Sequence, residues 1–147
     1  MYQISIILHI LAACIWAGGH IILSVQYLPR ALKEKNSEIV QQFEDKFEKI
    51  GIHALILLIL TGLFQSFRLI PNFFDWFKHT YFIPINITIK LLLLLITLLL
   101  ALHARFGIIP KLSNDNLGKL AYHIITVTVI AVLMVIVGVS FRFGGLF

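Results

Sequence analysis

The chain has 147 residues, 59% hydrophobic and 13% charged, with a mean hydropathy of +0.94. No soluble domain of this size hides so much apolar surface, so composition excludes a soluble enzyme or binding module and specifies an integral membrane protein. The formal net charge of +5 does not indicate nucleic acid, because Lys and Arg sit at segment ends, as membrane topology requires, rather than in one patch.

The first apolar segment, ISIILHILAACIWAGGHIILSVQYLPR, runs from Ile4 to Arg30. It is long enough to cross a bilayer and too long for a signal-peptide core, so it reads as a retained spanning helix. It carries His9 and His20, residues that hydrocarbon tolerates only for a reason. At about 100° per residue the two return to within roughly 20° of one helix face, which Trp16 and Tyr27 share. The span is expected to stop at Tyr27-Leu28-Pro29-Arg30, where an interfacial tyrosine, a proline and a charge coincide. The single cysteine, Cys14, leaves no internal disulfide and no CxxC motif.

Ser37 to Lys49 is polar, but Ile39, Phe43, Phe47 and Ile50 recur at helical spacing, which predicts an extramembrane extension of the second helix. The second span comes next at about residues 50–70, with His53 near its start and Arg68 near its end. Pro71 to His79 is an aromatic stretch of the kind that rests at the headgroup level, with His79 read as a surface residue. The third span, about 81–106, holds Lys90 within its apolar run and His103 near its far end, before Gly107 and Pro110 break it. The fourth, about 120–141, has His123 in its first turn and Arg142 at its exit. The expected fold is an all-α, four-helix membrane bundle forming one domain, without an internal repeat.

Arg30, Lys33, Lys35, Lys46, Lys49, Arg105, Lys111 and Lys119 flank the loops after spans one and three, against Arg68, Lys78 and Arg142 on the opposite side. The positive-inside rule then predicts cytoplasmic loops and both termini on the non-cytoplasmic side. Helices alternate direction, so His20, His53, His103 and His123 fall in the same half of the bilayer, one from each span. Imidazole suits haem iron, copper and zinc, and a bundle core is a usual place for such a site. These four are therefore the expected ligands. The alternative for any one of them is a hydrogen bond between helices or an interfacial position. In the other half, His9, Lys90, Asn86 and Thr97, with Arg68 and Arg142 near the surface, form a second polar set suited to an anionic group. For the two arginines, snorkelling to the interface explains their positions without a ligand. On a straight helix Lys90 and His103 are roughly 140° apart, which predicts separate sites.

The string His9-Ile10-Leu11-Ala12-Ala13-Cys14-Ile15-Trp16-Ala17-Gly18-Gly19, then Leu28-Pro29-Arg30, Thr61-Gly62, Ile89-Lys90-Leu91-Leu92 and His103 to Pro110, resembles the copper-resistance protein D family. More distantly, the chain is similar to the small membrane protoporphyrinogen oxidases, four-helix haem b proteins. There His9 and Lys90 fall on the characteristic first-helix histidine and third-helix lysine, although the gap from Trp16 to Tyr27, filled by His20, is longer than that pattern expects.

Two readings are open. A copper permease calls for soft thioether or thiolate ligands, and the chain offers only Met1, Met134 and Cys14. Bis-imidazole ligation of haem b needs two facing histidines, an apolar cleft and basic groups for the propionates. The sequence-based expectation is thus haem b held among His20, His53, His103 and His123, with His9 the leading candidate for an outer haem if two are present, and Lys90 in the same half. Such a chain would act as an electron carrier or haem-dependent oxidoreductase with a redox partner or quinone-like molecule in a bacterial-type inner (plasma) membrane. The alternative is a copper transport or resistance protein without redox activity. No GxxxG-type stripe stands out, so the sequence assigns no oligomeric state.

Overall fold

A computed structural model describes residues 1–78 and 80–144, apart from the side chain of Asp115; His79 lies outside the described residues. Its elements are α1 (Tyr2–Ile22), α2 (Leu28–Glu34), α3 (Glu38–Leu69), α4 (Phe82–His103) and α5 (Leu117–Phe143). Among the described residues, four helices are long and apolar enough to cross a membrane, as expected. Two of them run further than the apolar pattern predicts. The first continues from Tyr2 to Glu34 and the third from Phe82 to Lys111, each about 45–50 Å long at 1.5 Å per residue.

The expected stop at Tyr27–Arg30 is not where the first helix ends. A π-helical turn, Leu23–Tyr27, carries the chain into α2, with the Leu28 N–H donating to the Leu23 carbonyl five residues back. Pro29 then sits in the first turn of α2, where it can donate no N–H to the preceding turn, and the wider register of the π turn takes up that loss without ending the helix. The helix closes at Lys35, in the left-handed conformation at φ 49°. The third span repeats the device. A π turn at Ala104–Ile108 leads into a 3-10 turn, Ile109–Lys111, with Pro110 in its opening position.

The repetition extends to the hairpins as wholes. Leu23 to Ala104, Pro29 to Pro110 and His9 to Lys90 are all separated by 81 residues, while Gly62 to Gly138 and Phe47 to His123 are separated by 76. Contacts obey the same intervals: His9 lies against Gly62, and Lys90 against Gly138. The chain therefore contains a parallel structural repeat, α1–α3 and α4–α5, contrary to the sequence-based expectation. What repeats is backbone geometry and contact position. Side-chain identity does not, which is why the sequence pattern conceals it.

Within each hairpin the helices pack antiparallel, and α1 meets α5 between the hairpins, so α1 and α5 form the centre. Apolar contact between helices gains little in lipid, so close packing and polar contacts must supply the cohesion. At the centre are small residues: Ala12, Ala17, Ala54 and Ala131, around Trp16. A second cluster, including Leu23, Leu28, Ala31, Val40, Ile108, Leu117 and Ile124, surrounds the π turns. There the Ser37 N–H donates to Asn114 Oδ1 at 3.0 Å, and Arg105 pairs with Glu48, tying both connections at one end of the bundle. The polar stretch after Ser37 is helical and continuous with the second span, as expected.

At the opposite end, the aromatic stretch forms a 3-10 turn, Phe73–Phe77. Trp76 is fully buried, its indole N–H donates to the Ile70 carbonyl at 2.8 Å, and Thr88 Oγ1 donates to the Trp76 carbonyl at 2.8 Å. Trp76 thus fastens this turn to α4.

Candidate metal centre

The α1 stripe meets α3 along its whole length. His9 Nδ1 lies 2.8 Å from Thr61 Oγ1. Thr61 spends its own proton on the Leu57 carbonyl at 2.5 Å, so His9 Nδ1–H is the donor. Gly62 makes room for this ring, since a Cβ there would meet His9 Cε1 at 3.3 Å. Further along, His20 packs edge-on to Trp16, with centroids 4.9 Å apart, and to Phe47 at 6.0 Å. Tyr27 meets Phe43 at 4.7 Å. The shared face inferred from periodicity is thus a helix–helix seam, and His9 makes a hydrogen bond across it. We expect Thr61→Val to strand the His9 donor and lower stability by about 0.6 kcal/mol, to at most about 1.7, measured by thermal unfolding in detergent.

The four expected ligands do not share one position. His53 is exposed, and its Nδ1–H donates to the Lys49 carbonyl of its own helix at 2.6 Å. His20 stays on the α1–α3 seam, its Nδ1 buried without a partner among the described residues. Depth along the bilayer normal places these residues at one level, but it carries no information about which way each ring points. His103 and His123 do meet: His103 Nδ1 lies 3.1 Å from His123 Nε2, with ring centroids 4.9 Å apart. Among the described residues there is no cluster of three or more His, Cys, Asp or Glu side chains able to hold a metal ion.

The imidazole pair occupies an open cleft whose lining includes Gly107, Ile108, Lys119 and Tyr122. A Cβ on Gly107 would reach His103 Cδ2 at 3.2 Å, so this glycine one turn ahead lets the ring lie over the π turn. Such turns are frequent at functional sites because they redirect a side chain without ending the helix. With one proton between them, each nitrogen of the pair presents its lone pair or N–H toward the other. A metal replacing that proton at the usual 2.0–2.1 Å bond length would sit tetrahedrally with nitrogens about 3.3 Å apart, whereas trans ligation needs about 4 Å. The observed 3.1 Å is that of an N–H···N hydrogen bond and is closer to the first separation than to the second.

The other polar set lies at the far end of α4, about 20 Å from His103 by helical rise. Asn86 Nδ2 donates to Ser140 Oγ at 2.7 Å. The Lys90 ammonium lies 5.6 Å from the Phe141 ring centroid, beside Gly138, where a Cβ would be 3.1 Å from Nζ. Asn86 and Thr97 are both buried, so the polar stripe of the third span faces protein. Arg68 and Arg142 are exposed. Sequence reasoning singled out neither Ser140 nor Gly138. The only signal for them was the glycine in an apolar run one turn before Arg142.

The copper resistance protein D family profile matches residues 41–141, well over half of the chain. The chain belongs to the copper resistance protein D family. That match spans most of α3 and all of α4 and the imidazole cleft, and bears out the resemblance read from the sequence; the first-helix string lies before it. No curated protein and no solved structure matches the chain.

Proposed function

We propose that this family member is a copper-handling membrane protein, for transport or resistance, that receives a copper ion as its cargo between His103 and His123. The observation carrying this reading is the 3.1 Å approach of two imidazole nitrogens in an open cleft at the loop-bearing end of the bundle. Imidazole is a borderline ligand, and for a given nitrogen site affinity rises from cobalt and nickel to copper(II) and falls again at zinc. Cys14 is exposed on α1 and Met134 packs with the alanine cluster, so the cleft offers imidazole rather than sulfur. With two protein ligands the ion keeps open positions, which favours exchange over permanent storage.

Haem b has weaker support than copper. The family match names copper resistance, and the facing histidines are in direct hydrogen-bonding contact at 3.1 Å. In a strain deleted for this gene, the wild-type chain is expected to restore growth on copper, and the His103→Ala/His123→Ala chain, at matched expression, to fail. Equal growth of the two would remove the cleft from the function.

A further inference from the structure

The cleft that holds the imidazole pair occurs twice, once in each hairpin. By the intervals that relate the hairpins, Ile108, Gly118, Lys119 and Tyr122 of the C-terminal cleft correspond to Tyr27, Gln42, Phe43 and Lys46. These four, with Arg30 and Ile39, line a second cleft between α3 and the start of α2. The backbone form is shared, but the chemistry differs. No imidazole lines the N-terminal cleft; two cations, an amide and a phenol do.

Its floor is aromatic. Tyr27 lies against Phe43 with centroids 4.7 Å apart, and Phe43 stacks on Phe47 at 5.4 Å. Above it, Arg30 Nε donates to Glu34 at 2.9 Å, while the two terminal guanidinium nitrogens have no partner among the described residues. Lys46, Gln42 and the Tyr27 hydroxyl likewise make no side-chain hydrogen bond there. Two cations against one carboxylate leave the cleft positive and rich in donors. Its position is where the apolar runs of the first two spans stop, at Tyr27 and Ile50, the level of lipid headgroups.

We propose that this cleft binds a phosphate group, carried by an anionic phospholipid or free in solution. Arginine offers phosphate a planar fork of N–H donors, and lysine adds a mobile point charge. The Gln42 amide and Tyr27 hydroxyl supply further donors, and the aromatic floor excludes water from one side. This inference does not depend on copper binding at the other cleft.

The test uses the full chain in neutral detergent, following thermal unfolding while phosphatidylglycerol, phosphatidylcholine or inorganic phosphate is titrated. The wild type is compared with Arg30→Gln/Lys46→Gln and with Lys33→Gln/Lys49→Gln, an equal charge change at exposed residues outside the cleft. The apparent affinity for phosphatidylglycerol is expected to fall at least about tenfold in the cleft variant and less than about twofold in the control. Stabilisation by phosphatidylglycerol but not by inorganic phosphate identifies a lipid headgroup; stabilisation by inorganic phosphate, lost in the cleft variant, identifies the free ion. An unchanged response in the cleft variant, or an equal loss in the control, would overturn the proposal.

Discussion

Replacing His103 and His123 together with alanine is expected to abolish stoichiometric copper binding, while either single replacement weakens it on the order of 10–100-fold. The pair supplies the only two imidazole nitrogens that approach each other among the described residues, so no protein ligand remains to hold the ion when both are gone. Copper must displace the proton between the rings, so affinity should also fall on acidification. Gly107→Val tests the geometry separately. It adds bulk where a Cβ already meets His103 Cδ2 at 3.2 Å, turning the ring while keeping both ligands, and should weaken copper binding without unfolding α4. Equilibrium dialysis against copper, with helical content monitored by circular dichroism, distinguishes lost ligation from lost fold. A double variant that holds copper like the wild type would place the ion elsewhere.

The largest expected stability effect lies on the other hairpin. A Cβ built on Gly19 would stand 2.1 Å from Phe47 Cζ, and one on Gly51 would stand 2.9 Å from the same ring. The Phe47 ring is thus held between glycines of α1 and α3, with His20 edge-on and Phe43 stacked beside it. Gly19→Val must expel the ring or separate the helices, and overpacking of this kind costs about 1–3 kcal/mol. In a Phe47→Ala background the same substitution enters vacated space and should cost clearly less. The difference between backgrounds is the measurable coupling, because residues in contact do not behave additively. Equal losses of thermal stability in both backgrounds would show that Gly19 acts through backbone conformation alone.

Much of the fold is legible in the sequence, because spanning helices need only length and hydropathy to declare themselves. The His9, Trp16, His20 and Tyr27 stripe is also legible as one face, and that face does meet a single neighbour, α3. Two features of the fold are not legible, each for a physical reason. Pro29 and Pro110 read as stops, yet each comes after a π turn whose wider register takes up the missing N–H and carries the span past it. The repeat is hidden because His9 and Lys90 occupy equivalent positions with chemically different side chains.

The candidate site is half legible. Equal depth brings four histidines into consideration, but azimuth decides contact, and one inserted residue in a π turn rotates the downstream helix by about 100°. His103 and His123 end facing each other, whereas His53 turns to its own backbone and His20 to Trp16 and Phe47. The glycines that admit these rings and the Lys90 ammonium, Gly62, Gly107 and Gly138, carry no hydropathy signal that separates them from packing glycines.

The most direct measurement is the metal content and optical spectrum of the purified wild-type chain, expressed with ample haem and copper, oxidised and then reduced with dithionite. About one copper per chain is expected, with no stoichiometric iron and no sharp reduced-state bands. Stoichiometric iron with sharp reduced-state bands, and no bound copper, would contradict this expectation and return the histidines to haem ligation.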